Sequence, residues 1–222
     1  MQFTYLGSCG DDTLTISDDI YRYLIKARRH KIDDLIYFRN LKDNYLYKYL
    51  LKNISKRDAL LSFESKEEKI VKSKHTFHLG WSMVDPKTVE KHISSLNEIG
   101  VDKITFVYST YSQKNFKPNL EKLNKILINS SQQCGRSTLM KLEVCESLEI
   151  FLQNYPETKI LDFSETTLGN STQVDTMLIG TEGGFSQEER SLFKEENILG
   201  LDSSLILRSE TAAISVASKL LL

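Results

Sequence analysis

The clearest indication of the fold is the stretch Leu178-Ile179-Gly180-Thr181-Glu182-Gly183-Gly184-Phe185-Ser186-Gln187-Glu188-Glu189. An apolar run ends there at three glycines, and a helix start follows, because Ser186 is a favourable N-cap and Glu189 stands three residues later. The segment predicts a strand, an open glycine turn and a helix. Glycines let such a turn bring backbone N–H groups close to a bound molecule, since they lack a Cβ atom. Taken alone, the motif fits a plain strand-to-helix connection equally well.

A second segment near the end of the chain has a similar character: Leu205-Ile206-Leu207-Arg208-Ser209-Glu210-Thr211-Ala212-Ala213. It predicts an apolar strand that runs into a helix, with Ser209 as the N-cap and Glu210 in the first turn. Arg208 stands at the junction, and a buried guanidinium is unfavourable unless it meets a carboxylate, a phosphate or a ligand. An ion pair with Glu182 or Glu210 is the structural alternative. Two such junctions indicate a ligand crevice at the carboxyl ends of sheet strands.

Both segments resemble the paired C-terminal signatures of the bacterial small-subunit (16S) ribosomal RNA (uracil-N3)-methyltransferases, which belong to the SPOUT, or α/β-knot, superfamily. Further segments resemble the same family in the same order along essentially the whole chain: residues 18–29, 95–101 and 131–137. The sequence departs from the family pattern in the glycine turn, where Thr181 replaces the usual proline. Asp18 and Asp19 replace a histidine pair, and residues 81–86 lack a common lysine.

The resemblance implies an α/β fold whose C-terminal, mainly parallel sheet carries a trefoil knot, preceded by a small PUA-like β-barrel. It also implies S-adenosylmethionine-dependent methylation of uridine N3 in small-subunit ribosomal RNA by a homodimer. The cofactor would be held mainly by backbone groups of the two segments. The predicted cofactor-binding residues are Ile179, Gly180, Glu182, Gly183, Gly184, Leu205, Leu207, Thr211 and Ala212.

The predicted catalytic residues are Arg208, Glu210 and Glu182. Uridine N3 carries a weakly acidic proton that must leave before or during methyl transfer, so a base or a stabilising cation is useful. Arg208 would stabilise the negative charge on the uracil oxygens or anchor an RNA phosphate. Glu210 or Glu182 would accept the proton or position Arg208.

A basic segment near the start of the chain is the predicted RNA contact. Residues 21–31 contain five basic and no acidic side chains, with two tyrosines interleaved. On an α-helix, Arg22, Lys26 and Arg29 would lie on one side, which suits contact with phosphates. The alternative is a solvated face paired with nearby aspartates. The predicted RNA-binding residues are Arg22, Lys26, Arg28, Arg29 and Arg136, of which Arg136 is also a candidate for a dimer interface or an ordinary surface arginine.

The alternation of apolar residues predicts two domains. Residues 1–70 have short period-two stretches typical of a small β-barrel, and the charged run at residues 65–69 indicates a linker. Residues 71–222 alternate strand-like and helical patterns, which predicts a mainly parallel α/β sheet. In this part, Asp85-Pro86 begins a helix that Gly100 ends.

Composition fits a cytosolic globular protein. The chain has 222 residues and a net charge of −1, with no apolar run long enough for a transmembrane helix and no signal-peptide pattern at its start. Its three cysteines are scattered and indicate neither a disulfide framework nor a metal site. Two other functions stay open on the residues alone. One is a nucleotide-binding enzyme of another reaction class, and the other is a non-catalytic RNA-binding or ribosome-assembly protein.

Overall fold

The computed structural model describes residues 2–169 and 173–222. The chain divides into two compact units. The first contains residues up to Lys72 together with Ser131–Leu139, and the second contains Ser73–Ser130 and Met140–Leu222. The sequence predicted a single boundary near residue 70 and did not predict that Ser131–Leu139 would belong to the first unit. No helix in the described part of the chain is both long enough and apolar enough to span a membrane.

The first unit is built on a mostly antiparallel sheet. Within the described residues it has five strands in the order β1-β3-β4-β5-β2, with only β1 and β3 paired in parallel. Their bounds are Thr4–Tyr5 (β1), Thr13–Ser17 (β2), Leu35–Arg39 (β3), Tyr45–Ile54 (β4) and Asp58–Glu68 (β5). Alternate side chains fill one core, in which Tyr49 packs edge-on against Phe38 at 5.6 Å between ring centroids. This sheet fits the predicted barrel-like N-terminal domain.

The predicted linker at residues 65–69 is wrong, because β5 continues to Glu68. Two of its exposed charged side chains, Lys66 and Glu67, have partners across the hairpin. Nζ of Lys48 lies 3.4 Å from Oε2 of Glu67, and the Lys66 ammonium lies 4.7 Å from the centroid of the Tyr45 ring. Such cross-strand pairs stabilise a hairpin whose composition alone indicates a loop.

The basic segment also differs from the prediction. A short α-helix, α1, continues directly into a stretch of π-helix, with bounds Asp18–Tyr21 and Arg22–Ala27. In a π-helix, residues five apart lie on one side. Lys26 therefore lies over the ring of Tyr21, and Arg28 over the ring of Tyr23. The predicted α-helical row of arginines and lysine is wrong, since Arg29 lies beyond the helix with φ of 61°.

The second unit is an α/β layer with a parallel sheet, as predicted. Within the described residues six strands pair in parallel in the order β11-β9-β10-β6-β7-β8. Their bounds are His78–Ser82 (β6), Lys103–Val107 (β7), Lys141–Cys145 (β8), Lys159–Leu161 (β9), Thr176–Ile179 (β10) and Ile198–Leu199 (β11). Apart from the edge strand β8, the strands are largely buried and apolar, as parallel strands covered on both faces require.

Helices connect and cover these strands. Their bounds are Pro86–Ile99 (α2), Leu120–Cys134 (α3), Leu148–Asn154 (α4), Gln187–Arg190 (α5) and Ser209–Leu221 (α6), and Glu195–Asn197 form a turn of 3-10 helix. The predicted limits of α2 are confirmed. The Asp85 carboxylate accepts a hydrogen bond from the N–H of Lys87 at 3.0 Å, and Gly100 ends the helix with φ of 115°.

The order of the strands fixes where a ligand crevice can form. The chain runs from β6 outward through β7 and β8, and then returns to the other side of β6 with β9, β10 and β11. The direction of winding thus reverses where β10 pairs with β6, and Ile179 stands opposite Trp81 near the carboxyl ends of both strands. Ligands of open parallel sheets bind at such a switch point.

The predicted apolar strand at residues 205–207 does not form. The sheet ends at β11, and the segment that follows is an irregular loop in which Leu205 and Ile206 are 75% and 80% exposed. Local hydrogen bonds account for this difference. The N–H of Ser203 donates to the carbonyl of Leu201, and the N–H of Leu205 donates to the Ser203 hydroxyl. These turns use backbone groups that a strand would need.

Candidate active site

The glycine turn after β10 folds tightly on itself. The N–H of Gly184 donates to the carbonyl of Thr181 at 2.9 Å, and Gly184 has φ of 69°. A Cβ atom on Gly180 would lie 3.2 Å from the backbone of Gly184. Glycine is therefore favoured at position 180 by close backbone approach and at 184 by positive φ.

The predicted capping box at the start of α5 is confirmed. The Ser186 hydroxyl accepts from the N–H of Glu189, and the Glu189 carboxylate accepts from the N–H of Ser186 at 2.9 Å. The second oxygen of this buried carboxylate accepts from the N–H of Thr110 at 2.7 Å. Glu189 thus fixes the glycine turn to the loop that follows β7, a contact that the sequence did not indicate.

A buried hydroxyl joins the two segments that the sequence predicted to form one site. The Ser209 hydroxyl accepts from Nε1 of Trp81 at 2.9 Å and donates to the carbonyl of Gly180 at 2.5 Å. The start of α6, the end of β6 and the glycine turn therefore meet at one point. The sequence analysis did not single out Trp81. A tryptophan in an apolar strand is usually buried, and its N–H then needs an acceptor, so it could have been chosen as a contact residue.

Ser209 is not the N-cap of α6, so that prediction is wrong. The helix begins at Ser209 itself, and Arg208 occupies the cap position with extended backbone and no side-chain capping bond. The Ser209 side chain is unable to cap its own helix because it is committed to the Trp81–Gly180 bridge. A tertiary contact thus replaces the local one.

Arg208 is exposed, which corrects the expectation of a buried guanidinium. The loop before it never enters the core, so no desolvation penalty arises there. Within residues 2–169 and 173–222, Arg208 forms no ion pair, so the alternative of a pair with Glu182 or Glu210 is wrong as well. Its side chain is exposed to solvent, and the next residue, Ser209, contacts the glycine turn.

The two candidate acids have different surroundings. Glu182 is exposed on the glycine turn. Glu210 is half-buried, and its Oε2 is fully shielded without a hydrogen-bond partner in the described part of the chain. A shielded carboxylate oxygen of this kind calls for a donor. Glu210 is therefore the stronger candidate for contact with a bound molecule.

The other predicted cofactor residues lie on the two segments that the Ser209 hydroxyl joins. Ile179 ends β10 in the core, Ala212 is buried in α6, and Thr211 is exposed beside it. Leu207 is half-buried in the loop before α6. Gly183 is exposed, and a Cβ atom there would lie 3.3 Å from the ring of Tyr111, which sequence patterns did not single out.

Most of the predicted RNA-binding side chains are exposed on the first unit: Arg22, Lys26, Arg28 and Arg29. Arg22 forms an exposed ion pair with Asp19 at 3.4 Å. For this one residue, the structure agrees with the alternative in which the basic side chains pair with nearby aspartates. Arg136 is only 4% exposed, so the interpretation as an ordinary surface arginine is wrong. Its contact with RNA or with a second subunit stays a prediction.

A separate cluster lies at the amino end of the sheet, away from the glycine turn. His78 begins β6, and its Nε2 lies 2.8 Å from the hydroxyl of Thr105. Burial, reinforced by the charge of Lys103, lowers the pKa of His78 to about 4. The ring is therefore neutral at physiological pH and has a structural role.

The C-terminal two thirds of the chain match a family of known sequences. The model of the RNA methyltransferase domain family matches residues 71–221. The chain is 38% identical over 222 residues to the ribosomal RNA small subunit methyltransferase E of Helicobacter pylori strain J99, and the match covers 98% of both chains.

Solved structures share the whole fold. A probable rRNA-methyltransferase from Porphyromonas gingivalis superposes with a TM-score of 0.81 at 20% identity and covers 98% of this chain and 95% of its own. A ribosomal RNA small subunit methyltransferase E from Neisseria gonorrhoeae, solved with bound S-adenosyl methionine, gives a TM-score of 0.79 at 20% identity with the same coverage. These structures bear out the α/β fold with its mostly parallel sheet.

Proposed function

Because the chain belongs to the ribosomal RNA small subunit methyltransferase E family, we propose that it methylates N3 of a uridine in small-subunit (16S) ribosomal RNA. S-adenosylmethionine is the methyl donor. The observation that carries the proposal is the junction of the glycine turn with the start of α6 through Ser209. It assembles a site at the switch point of the sheet from the two segments that carry the family resemblance.

The residues at this junction fit the cofactor. Gly180 and Gly184 keep the turn free of side chains, so that backbone groups can approach a ligand closely. The shielded Oε2 of Glu210 needs a donor, which an amine or hydroxyl of a ligand can supply. The exposed side chains of Leu205 and Ile206 offer apolar surface to an adenine ring. We propose that these loops hold S-adenosylmethionine through the nine residues named from the sequence.

The cofactor supplies a methyl group already activated by its sulfonium, so the chain itself contributes binding, orientation and electrostatics. Arg208, exposed and without an ion pair among the described residues, would stabilise negative charge on the uracil oxygens as the N3 proton leaves. Glu210 is the preferred proton acceptor, since the exposed Glu182 is better solvated. N3 lies on the pairing edge, so the target base must be presented unpaired.

The first unit would hold the RNA. Its exposed cations Arg22, Lys26, Arg28 and Arg29 lie on a segment with no acidic residue between residues 21 and 31. Contacts with phosphates supply most of the affinity of such surfaces. We therefore propose that residues 1–70 form the RNA-binding domain and residues 71–222 form the methyltransferase domain.

The proposal extends to topology, assembly and location. We expect the strands and loops around residues 176–222 to form the trefoil knot of SPOUT proteins, which the parallel sheet and the Gly180–Ser209 contact support. We expect a homodimer, supported by exposed apolar side chains of the second unit outside the proposed cofactor loops, Phe163 and Leu222. We also expect a cytoplasmic location. Sedimentation of the purified chain tests the dimer.

Radiolabelled methyl transfer tests the function. We expect transfer from S-adenosylmethionine to small ribosomal subunits that lack the modification, and a comparison with naked ribosomal RNA identifies the form of the substrate. Normal binding of S-adenosylmethionine without transfer to either substrate would favour the non-catalytic assembly protein. Preferential binding of ATP or NAD would favour the other enzyme class.

A further inference from the structure

The first unit contains a cavity of about 390 Å³ beside the π-helix, a size typical of small-ligand sites. Its lining combines aromatic rings with one exposed cation and polar groups: Gln2, Tyr23, Arg28, His30 and Tyr37. We propose that this cavity binds one unpaired base of the RNA substrate, a base other than the one that is methylated. The inference rests on the proposed function and names where the first unit grips RNA.

Two of the lining residues, Tyr23 and Arg28, contact each other through a hydrogen bond and a cation–π interaction. The Nε–H of Arg28 donates to the Tyr23 hydroxyl at 3.0 Å, and an Nη–H donates to the Gln2 side chain at 3.2 Å. The guanidinium lies 5.3 Å from the centroid of the Tyr23 ring, which is 42% exposed. Planar guanidinium groups and exposed aromatic rings are the surfaces on which proteins stack unpaired bases.

The backbone around Tyr23 and Arg28 has an unusual conformation. The π-helix places Tyr23 and Arg28, five residues apart, on the same side, which an α-helix would not do. Immediately afterwards Arg29 has φ of 61°. Both features are uncommon and recur at functional sites, where a side chain must point in a particular direction.

The charges around the cavity favour a polyanion. Asp19 is paired with Arg22, and Asp34 accepts from the N–H of Lys31 while it also contacts His30. With these acids engaged, Lys26 and Arg28 face solvent without an ion pair in the described part of the chain. A base in the cavity would therefore place its flanking phosphates against cations.

Steady-state methyl transfer to small subunits tests the cavity. We expect Tyr23→Ala and Arg28→Met each to raise KM for the subunit by roughly tenfold, since the loss of a stacking partner weakens binding by about that factor. The kcat and the affinity for S-adenosylmethionine should be unchanged. Arg57→Met is the matched control, because it removes another exposed arginine from the hairpin of the same unit and should leave KM unaltered. An unchanged KM in both cavity variants, with an active wild type, would overturn the proposal.

A fluorescence measurement of base stacking tests this inference independently of the proposed function. In a Tyr23→Trp variant, a single-stranded oligoribonucleotide should quench the fluorescence contributed by the new tryptophan, and a duplex of the same sequence should not. That result would support the cavity even if methyl transfer failed. Equal quenching by duplex, or stronger quenching by a free mononucleotide than by the oligonucleotide, would overturn it.

Discussion

Gly180 is the position at which the active site has the least room for a side chain. An added Cβ atom would meet the backbone of Gly184, which has no flexible end to move aside. We expect Gly180→Ala to open the turn and to weaken S-adenosylmethionine binding about tenfold or more, which corresponds to roughly 1.4 kcal/mol. Isothermal titration measures this effect. Gly7→Ala in the first unit is the control, since its Cβ atom would meet only the mobile end of Tyr5. Equal affinity in Gly180→Ala and wild type would remove the turn from the cofactor site.

Arg208 tests the chemical part of the proposal. It is exposed and forms no capping bond for α6, so its removal should leave the fold intact. We expect Arg208→Ala to lower kcat by about a hundredfold, as the loss of a group that stabilises developing charge does in other enzymes. Affinity for S-adenosylmethionine should change little. Lys219→Ala, near the end of the same helix and also exposed, is the control, because it removes a positive charge from a residue outside the proposed site. Normal turnover in Arg208→Ala would exclude the arginine from catalysis.

At the scale of elements, Ser209 ties α6 to β6 and to the glycine turn. Ser209→Ala would leave two buried groups, the Trp81 N–H and the Gly180 carbonyl, without this hydrogen-bond partner. An unmet buried polar group costs about 1–3 kcal/mol, so we expect a loss of that size in the free energy of unfolding. Urea denaturation measures it. Ser215→Ala, on a half-exposed part of α6, should have little effect. Matching losses in the two variants would show that the bridge adds no stability.

The elements that could be predicted from the sequence are those with local signals. Asp85 and Gly100 bound α2 because a side-chain cap and a left-handed residue act within one turn of the helix. The capping box of Ser186 and Glu189 is local in the same way.

The elements that were missed depend on distant partners. The hydroxyl of Ser209 bonds to residues remote in sequence, and the charged end of β5 is stabilised by the opposite strand. The apolar run at residues 205–207 has strand-like composition, but local turns take its backbone groups. At the site, the sequence predicted which two loops meet. It did not predict the contributions of Trp81, near the end of β6, or of Thr110 and Tyr111, which follow β7.

At the scale of the whole molecule, His78 makes stability depend on pH. Its pKa is lowered from 6.5 to about 4 in the folded state, by burial first and by Lys103 second, against the opposing charge of Glu143. Between these values the unfolded chain binds the extra proton, so the free energy of unfolding falls as pH decreases from 6.5 to 4. The full contribution is about 3 kcal/mol, from roughly 1.4 kcal/mol for each unit of pKa.

Denaturation at pH 7 and pH 4.5 measures this dependence. The His78→Gln variant should lose less stability than the wild type between the two values, because its side chain does not titrate. His92→Gln, on the half-exposed part of α2, should behave as the wild type does. Identical pH dependence in the wild type and His78→Gln would show that the ring does not take up a proton on unfolding.

The most direct test of the central claim is the identity of the methylated nucleoside. Small ribosomal subunits that lack the modification would be incubated with the chain and S-adenosylmethionine carrying an isotopically labelled methyl group, and the RNA would be digested for mass spectrometry. We predict that the label appears in 3-methyluridine at a single position. Label in any other nucleoside, or no incorporation by a chain that binds the donor, would contradict the claim.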